Sequence, residues 1–172
     1  QSMGGVLLIK NAAYEYYNFN KSCADRYSAA VTNAANRLNG ISNVYDMVVP
    51  TSIGITLNEA TRKSINSSDQ QKAINYIYGS MGDGVKTVNV YDTLMSHRSE
   101  YIFFRTDHHW TQLGAYYAYQ QFANRAKFMP IEQSRYSTVT YDGFLGSFYA
   151  ATKKDAALAA TPDSITAFKL IN

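Results

Sequence analysis

Val44-Tyr45-Asp46-Met47-Val48-Val49-Pro50 is the run on which the fold reading turns. Its apolar, β-branched residues predict a strand, and Pro50 ends the ladder where a missing N–H is tolerated. Upstream, residues 21–38 carry Ala24, Tyr27, Ala30, Val31, Ala34, Ala35 and Leu38 at three- and four-residue steps, with Asn39-Gly40 as a stop. That period predicts a helix. Before it come Val6-Leu7-Leu8-Ile9, an apolar run of the kind buried on both sheet faces, and an aromatic-rich connector over 14–19. Downstream, residues 51–68 are rich in Ser, Thr and Asn and read as loop with one helical turn. Ser68 or Asp69 then caps a helix to about Met81, Gly82-Asp83-Gly84 turns the chain, and 87–91 forms a further strand. Strand, helix, strand, helix, strand is the cadence of a helix-covered parallel sheet. The expected fold class is therefore α/β: three α/β/α layers on a mostly parallel sheet.

In the second half, Tyr101-Ile102-Phe103-Phe104 is briefly extended, and Thr111 opens a helix carrying Leu113, Tyr116, Tyr117, Tyr119, Phe122 and Ala126 before Pro130. Residues 136–149 read as a strand or hairpin and 153–161 as a small, alanine-rich, mobile connector. Residues 165–171 alternate like a strand and stop without a turn or polar tail. The 172 residues are expected to form one domain, residues 1–172, from a longer protein, with its sheet incomplete at the C-terminus.

Composition narrows the function. The net charge is +3 and the basic residues run from Lys10 to Lys169 without clustering, so nucleic acid is not an expected partner. Charged residues make up 17% and there are 15 tyrosines, a composition that suits an exported protein. The one cysteine, Cys23, has no intrachain disulfide partner and reads as a small buried hydrophobe. No apolar run approaches the ~20 residues that cross a bilayer, so no transmembrane segment is expected in this chain. The first residue is Gln1 rather than Met, so any export signal is expected upstream.

The chemistry is concentrated in Arg105-Thr106-Asp107-His108-His109-Trp110-Thr111. A general base needs its imidazole held in one tautomer, and a carboxylate two residues away on an extended backbone can do that. Asp107 and His109 have this spacing; strand alternation sends His108 the other way. Thr106 or Thr111 caps the next helix, and Trp110 wedges the loop against the core. Ser147, in Gly143-Phe144-Leu145-Gly146-Ser147-Phe148-Tyr149, is the best-placed serine, although the spacing is not that of a nucleophile elbow. Arg105, His108, Trp110, Thr111, Ser147 and Tyr149 are therefore expected to line the site, with Asp107 and His109 as its catalytic pair. No metal or other cofactor is required.

Two rival readings stand beside this one. Asp107, His108 and His109 could ligate a metal in a metal-dependent hydrolase, given a further ligand from His97, Asp92 or Glu100. A noncatalytic extracellular module could instead stack Tyr116, Tyr117 and Tyr119 on glycans or peptides.

The motif at 105–111, followed by Leu113-Gly114-Ala115-Tyr116, resembles the signature of the DHHW family of exported bacterial proteins. It is also similar to the Asp-x-His-Trp-[Thr/Ser] motif of the alginate O-acetylation proteins, which are SGNH-hydrolase-like acetyltransferases. Looser likeness extends through residues 6–9, 45–51 and 88–92. The resemblance implies an SGNH-like fold and an esterase or O-acyltransferase acting on cell-envelope carbohydrate outside the cytoplasm, with an acyl-ester or carbohydrate substrate. It puts Asp107 in the acid position and His109 in the base position. No Asp-Ser-[Tyr/Phe] element follows residue 111; Asp163-Ser164-Ile165 comes nearest but lacks a preceding apolar strand. The serine nucleophile is therefore expected beyond Asn172.

Overall fold

A computed structural model describes Ser2, Met3 and residues 5–171, and its strand pairing overturns the expected mostly parallel, three-layer sheet. The run at residues 6–9 is β2 (Val6–Ile9), which pairs antiparallel with both β1 (Ser2–Met3) and β3 (Ala12–Glu15). Lys10, at φ 54°, turns the chain back at once. A parallel crossover needs a dozen or more residues, and a two-residue turn leaves no room for one.

The only parallel pairing among the described residues joins β4 (Val44–Asp46) to β5 (Val85–Thr87), three residues on each side. Both strands end early for local reasons. The Val48 N–H donates to the Tyr78 hydroxyl at 2.8 Å instead of extending the ladder. Past Thr87, the Asn89 side chain accepts from the Tyr91 N–H at 3.0 Å and turns the chain into a helix. The expected strand over 87–91 is thus replaced by the end of β5 and the start of α5. Residues 101–104 form no strand beyond an isolated bridge from Phe103 to Trp110. A separate antiparallel ribbon joins β6 (Tyr136–Phe144) to β7 (Asp163–Leu170), with a bulge at Gly143, whose φ is 84°.

The helices follow the sequence more closely. They are α1 (Lys21–Arg37), α2 (Ser52–Ile55), α3 (Glu59–Ser64), α4 (Gln70–Gly79), α5 (Tyr91–Ser96) and α6 (Gln112–Ala126). Two short ones follow, α7 (Ser147–Ala151) and α8 (Ala156–Ala159), the latter inside the segment expected to be a mobile connector. Leu158 is fully buried and pins α8 down. Asn20, Asp69 and Thr111 cap α1, α4 and α6 through side-chain oxygens. Cys23 is exposed, contrary to expectation, and its sulfur accepts from Arg26 Nη2 at 3.2 Å. Helix α1 buries Ala24, Ser28 and Ala35 instead, a face that leaves Cys23 outside.

Two apolar clusters position the site. The larger gathers Ile55, Ile74, Val90, Leu94, Ile102, Phe103 and Ala118, with Trp110 and Phe122 packed against it. The smaller joins Val6 and Ala13 of the first sheet to Phe148 of α7 and Leu158 of α8. The Ala13 N–H also donates to the Arg105 carbonyl at 2.9 Å, so the N-terminal hairpin grips the motif's first residue. Among the described residues, no helix is long and apolar enough to cross a membrane.

Candidate functional site

The segment after Arg105 is a bend rather than a strand, and the Asp107 side chain makes it one. Its Oδ1 accepts from the His109 backbone N–H at 2.9 Å, an i to i+2 Asx turn. The same oxygen lies 2.7 Å from Nδ1 of the His109 ring. The other carboxylate oxygen accepts from the Ser147 N–H at 2.8 Å. Burial works to raise the Asp107 pKa, but the Ser147 and His109 N–H groups, the His109 ring and the Ser147 side chain outweigh it and hold it at about 2. Asp107 is thus an anion that engages Nδ1 of His109, and among the described residues the ring's Nε2 has no hydrogen-bond partner. The His109 side chain is 64% exposed while that of Asp107 is 9% exposed, a buried orienter behind an accessible ring.

His108 does not point away, as strand alternation would have it. Because the backbone bends, its ring lies beside that of His109, with centroids 3.8 Å apart. Its Nδ1 sits 2.7 Å from the Ser147 hydroxyl. An open cleft of about 860 Å³ is lined by His108, Ser147 and Phe148 together with Glu15, Tyr16, Asn18 and Asn66.

The remaining expected residues have other partners. Arg105 turns to Asp163, its Nε donating to that carboxylate at 3.1 Å. Thr111 caps α6, and its hydroxyl donates to the Tyr101 carbonyl at 2.8 Å. Trp110 packs on the larger core cluster, and Tyr149 on the smaller. Of the three tyrosines weighed as a stacking platform, Tyr116 is buried. The Tyr117 hydroxyl donates to Glu100 at 2.7 Å, and Tyr119 accepts from the Ile131 N–H at 3.0 Å.

The metal reading draws on ligand atoms of Asp107, His108 and His109 that lie within 4.8 Å of one another. Among the described residues no fourth ligand joins that group. His97 lies 2.6 Å from Glu100, and Asp92 accepts from Gln71 at 3.1 Å.

Sequence reasoning gave Gly146 and Asp163 no contact with the Asp107 segment. A Cβ on Gly146 would lie 2.3 Å from Cβ of Asp107, so glycine alone lets the Asp107 side chain lie this close to the backbone of residue 146. Gly146→Ala is expected to push the loop aside and destabilise the protein by roughly 1–3 kcal/mol, measured by urea denaturation. Stability equal to that of the parent would show that the approach tolerates a side chain.

A family model described as DHHW protein matches residues 1–172. A crystal structure of a DHHW family protein from Eubacterium siraeum is 31% identical, with a TM-score of 0.88 over 98% of this chain and 55% of that one. PatB1 of Bacillus cereus is 16% identical, with a TM-score of 0.73 over 96% of this chain and 58% of that one. The O-acetyltransferase domain of Pseudomonas putida AlgJ is 16% identical, with a TM-score of 0.67 over 98% of this chain and 66% of that one. The last two likenesses are of fold. No curated protein matches the sequence.

Proposed function

This chain belongs to the DHHW protein family, and from that premise we propose that it supplies the acid and base of an acyl-ester site. In this reading the whole protein, of whose relative this chain spans 55%, hydrolyses or transfers an acetyl group on cell-envelope carbohydrate outside the cytoplasm. The observation that carries it is the 2.7 Å pairing of His109 Nδ1 with Asp107 Oδ1, which leaves Nε2 unengaged.

Nε2 of His109 takes the proton of a serine hydroxyl as the oxygen attacks the acyl carbonyl carbon. The bond to the leaving alkoxide breaks, and His109 returns the proton to it. Water or a sugar hydroxyl then attacks the acyl-serine ester by the same relay, which regenerates the serine. In this reading the serine comes from a part of the whole protein outside residues 1–172. Ser147 engages His108, and among the described residues the His109 ring hydrogen-bonds only to Asp107. The composition of the cleft supports a carbohydrate partner, since an aromatic residue, Tyr16, and two amides of the kind that match hydroxyl groups, Asn18 and Asn66, line it.

Full-length protein assayed with p-nitrophenyl acetate and with an acetylated glycan is expected to turn over both, with the rate unchanged by EDTA. Loss of activity on chelation would favour the metal-dependent hydrolase. Polysaccharide bound without any turnover would favour the noncatalytic module.

A further inference from the structure

Asp163, the first residue of β7, is fully buried and carries a carboxylate with an unusual set of donors. Its Oδ2 accepts from the Thr106 N–H at 2.7 Å, the Thr106 hydroxyl at 2.6 Å and the Arg105 N–H at 3.0 Å. Its Oδ1 accepts from Arg105 Nε at 3.1 Å and from the Tyr101 hydroxyl. Burial opposes the charge, but the donors from Thr106, Tyr101 and Arg105 outweigh it and hold the carboxyl below its ordinary pKa. A buried anion that lost these partners would be costly, so the donors are obliged to stay where they are. All of them lie within residues 101–106, the segment that ends immediately before Asp107.

Thr106 passes this constraint on. With its hydroxyl proton directed at Asp163, its oxygen is free to accept from the Gly146 N–H at 3.1 Å. Its carbonyl accepts from the Phe148 and Tyr149 N–H groups at 2.9 and 3.2 Å. Those bonds fix the turn into α7, whose Ser147 N–H meets Asp107. A competing acceptor for the Thr106 proton, the Phe144 carbonyl, lies 3.4 Å away. Without the carboxylate, the hydroxyl has reason to turn towards it.

We propose that Asp163 is the positioning residue of the Asp107–His109 pair, acting through Thr106 and the Gly146-Ser147 turn. Its catalytic use rests on the acyl-ester reading above; the geometry it fixes does not.

Amide hydrogen exchange in the full-length protein tests this, because a purely structural anchor and a positioning residue differ in where protection is lost. In Asp163→Asn, the Ser147 and His109 amides, both donors to Asp107, are expected to lose protection roughly tenfold more than amides in the middle of α1. Thr106→Val is expected to reproduce the pattern, and Thr106→Ser, which keeps the hydroxyl, to restore protection of both amides. In the acyl-ester assay, Asp163→Asn is expected to lower kcat roughly tenfold or more with KM little changed. Uniform loss of protection in α1 and the site alike, or parental protection of both amides in Thr106→Val, would overturn the assignment. If the exchange pattern holds while the parent protein shows no turnover, the positioning role stands and the acyl-ester reading falls.

Discussion

Replacing His109 by Ala in the full-length protein is expected to lower esterase turnover by about 10³–10⁴-fold, the usual cost of removing a general base that serves a nucleophile. Folding should survive, because the ring is 64% exposed and its hydrogen bond goes to a carboxylate that keeps two backbone donors. Circular dichroism and urea denaturation check that the loss is chemical. His108→Ala removes the partner of the Ser147 hydroxyl and one side of the ring stack, but not the Asp107 pairing. Its turnover is expected to fall by roughly tenfold, the scale of a lost positioning contact rather than of a lost base. Equal and complete loss from both variants would point to metal ligation.

Asp107→Asn is expected to be about as damaging to turnover and to add a pH-dependent stability loss. The carboxylate accepts from the His109 N–H, the His109 ring and the Ser147 N–H, and an amide of the same shape must turn its NH2 towards one of those donors. If it faces the ring, the imidazole has to present an unprotonated Nδ1 and carry its proton on Nε2, the wrong tautomer for a base. Turnover should fall by about 10³–10⁴-fold.

The stability change follows from the depressed Asp107 pKa of about 2. A carboxyl whose folded pKa lies below its unfolded value of about 3.9 stabilises the fold above that unfolded value and loses the effect as pH falls through about 2. Urea denaturation is therefore expected to find Asp107→Asn less stable than the parent by roughly 2 kcal/mol at pH 7. The gap should shrink steadily between about pH 4 and pH 2. A gap that persists undiminished at the acid end would mean that the loss comes from packing rather than charge.

The helices were legible because each carries its own signal. The period of α1 and the caps Asp69 and Thr111 are local patterns, and the chain obeys them. Strand pairing is not local. Nothing in Val6-Leu7-Leu8-Ile9 distinguishes a buried parallel strand from one arm of a hairpin; Lys10 at positive φ makes that choice. Val44-Tyr45-Asp46 does pair in parallel, but the Tyr78 hydroxyl takes the Val48 N–H and cuts the strand short.

The site divides in the same way. The closeness of Asp107 and His109 could be read from their spacing, although an Asx turn rather than strand alternation produces it. That turn also brings His108 alongside, a consequence the extended reading reversed. The contact of His108 with Ser147 spans 39 residues, and Asp163 reaches Thr106 across 57. No short motif contains either relation, and nothing local shows that residue 146 must leave room for the Asp107 side chain.

The proposed base chemistry depends on which nitrogen of His109 carries the proton when the ring is neutral. ¹⁵N-resolved NMR of the imidazole in the full-length protein reads this directly. The Asp107 pairing predicts the Nδ1–H tautomer, with Nε2 at the chemical shift of an unprotonated nitrogen. A neutral ring protonated at Nε2, or one that exchanges freely between the two tautomers, would contradict it.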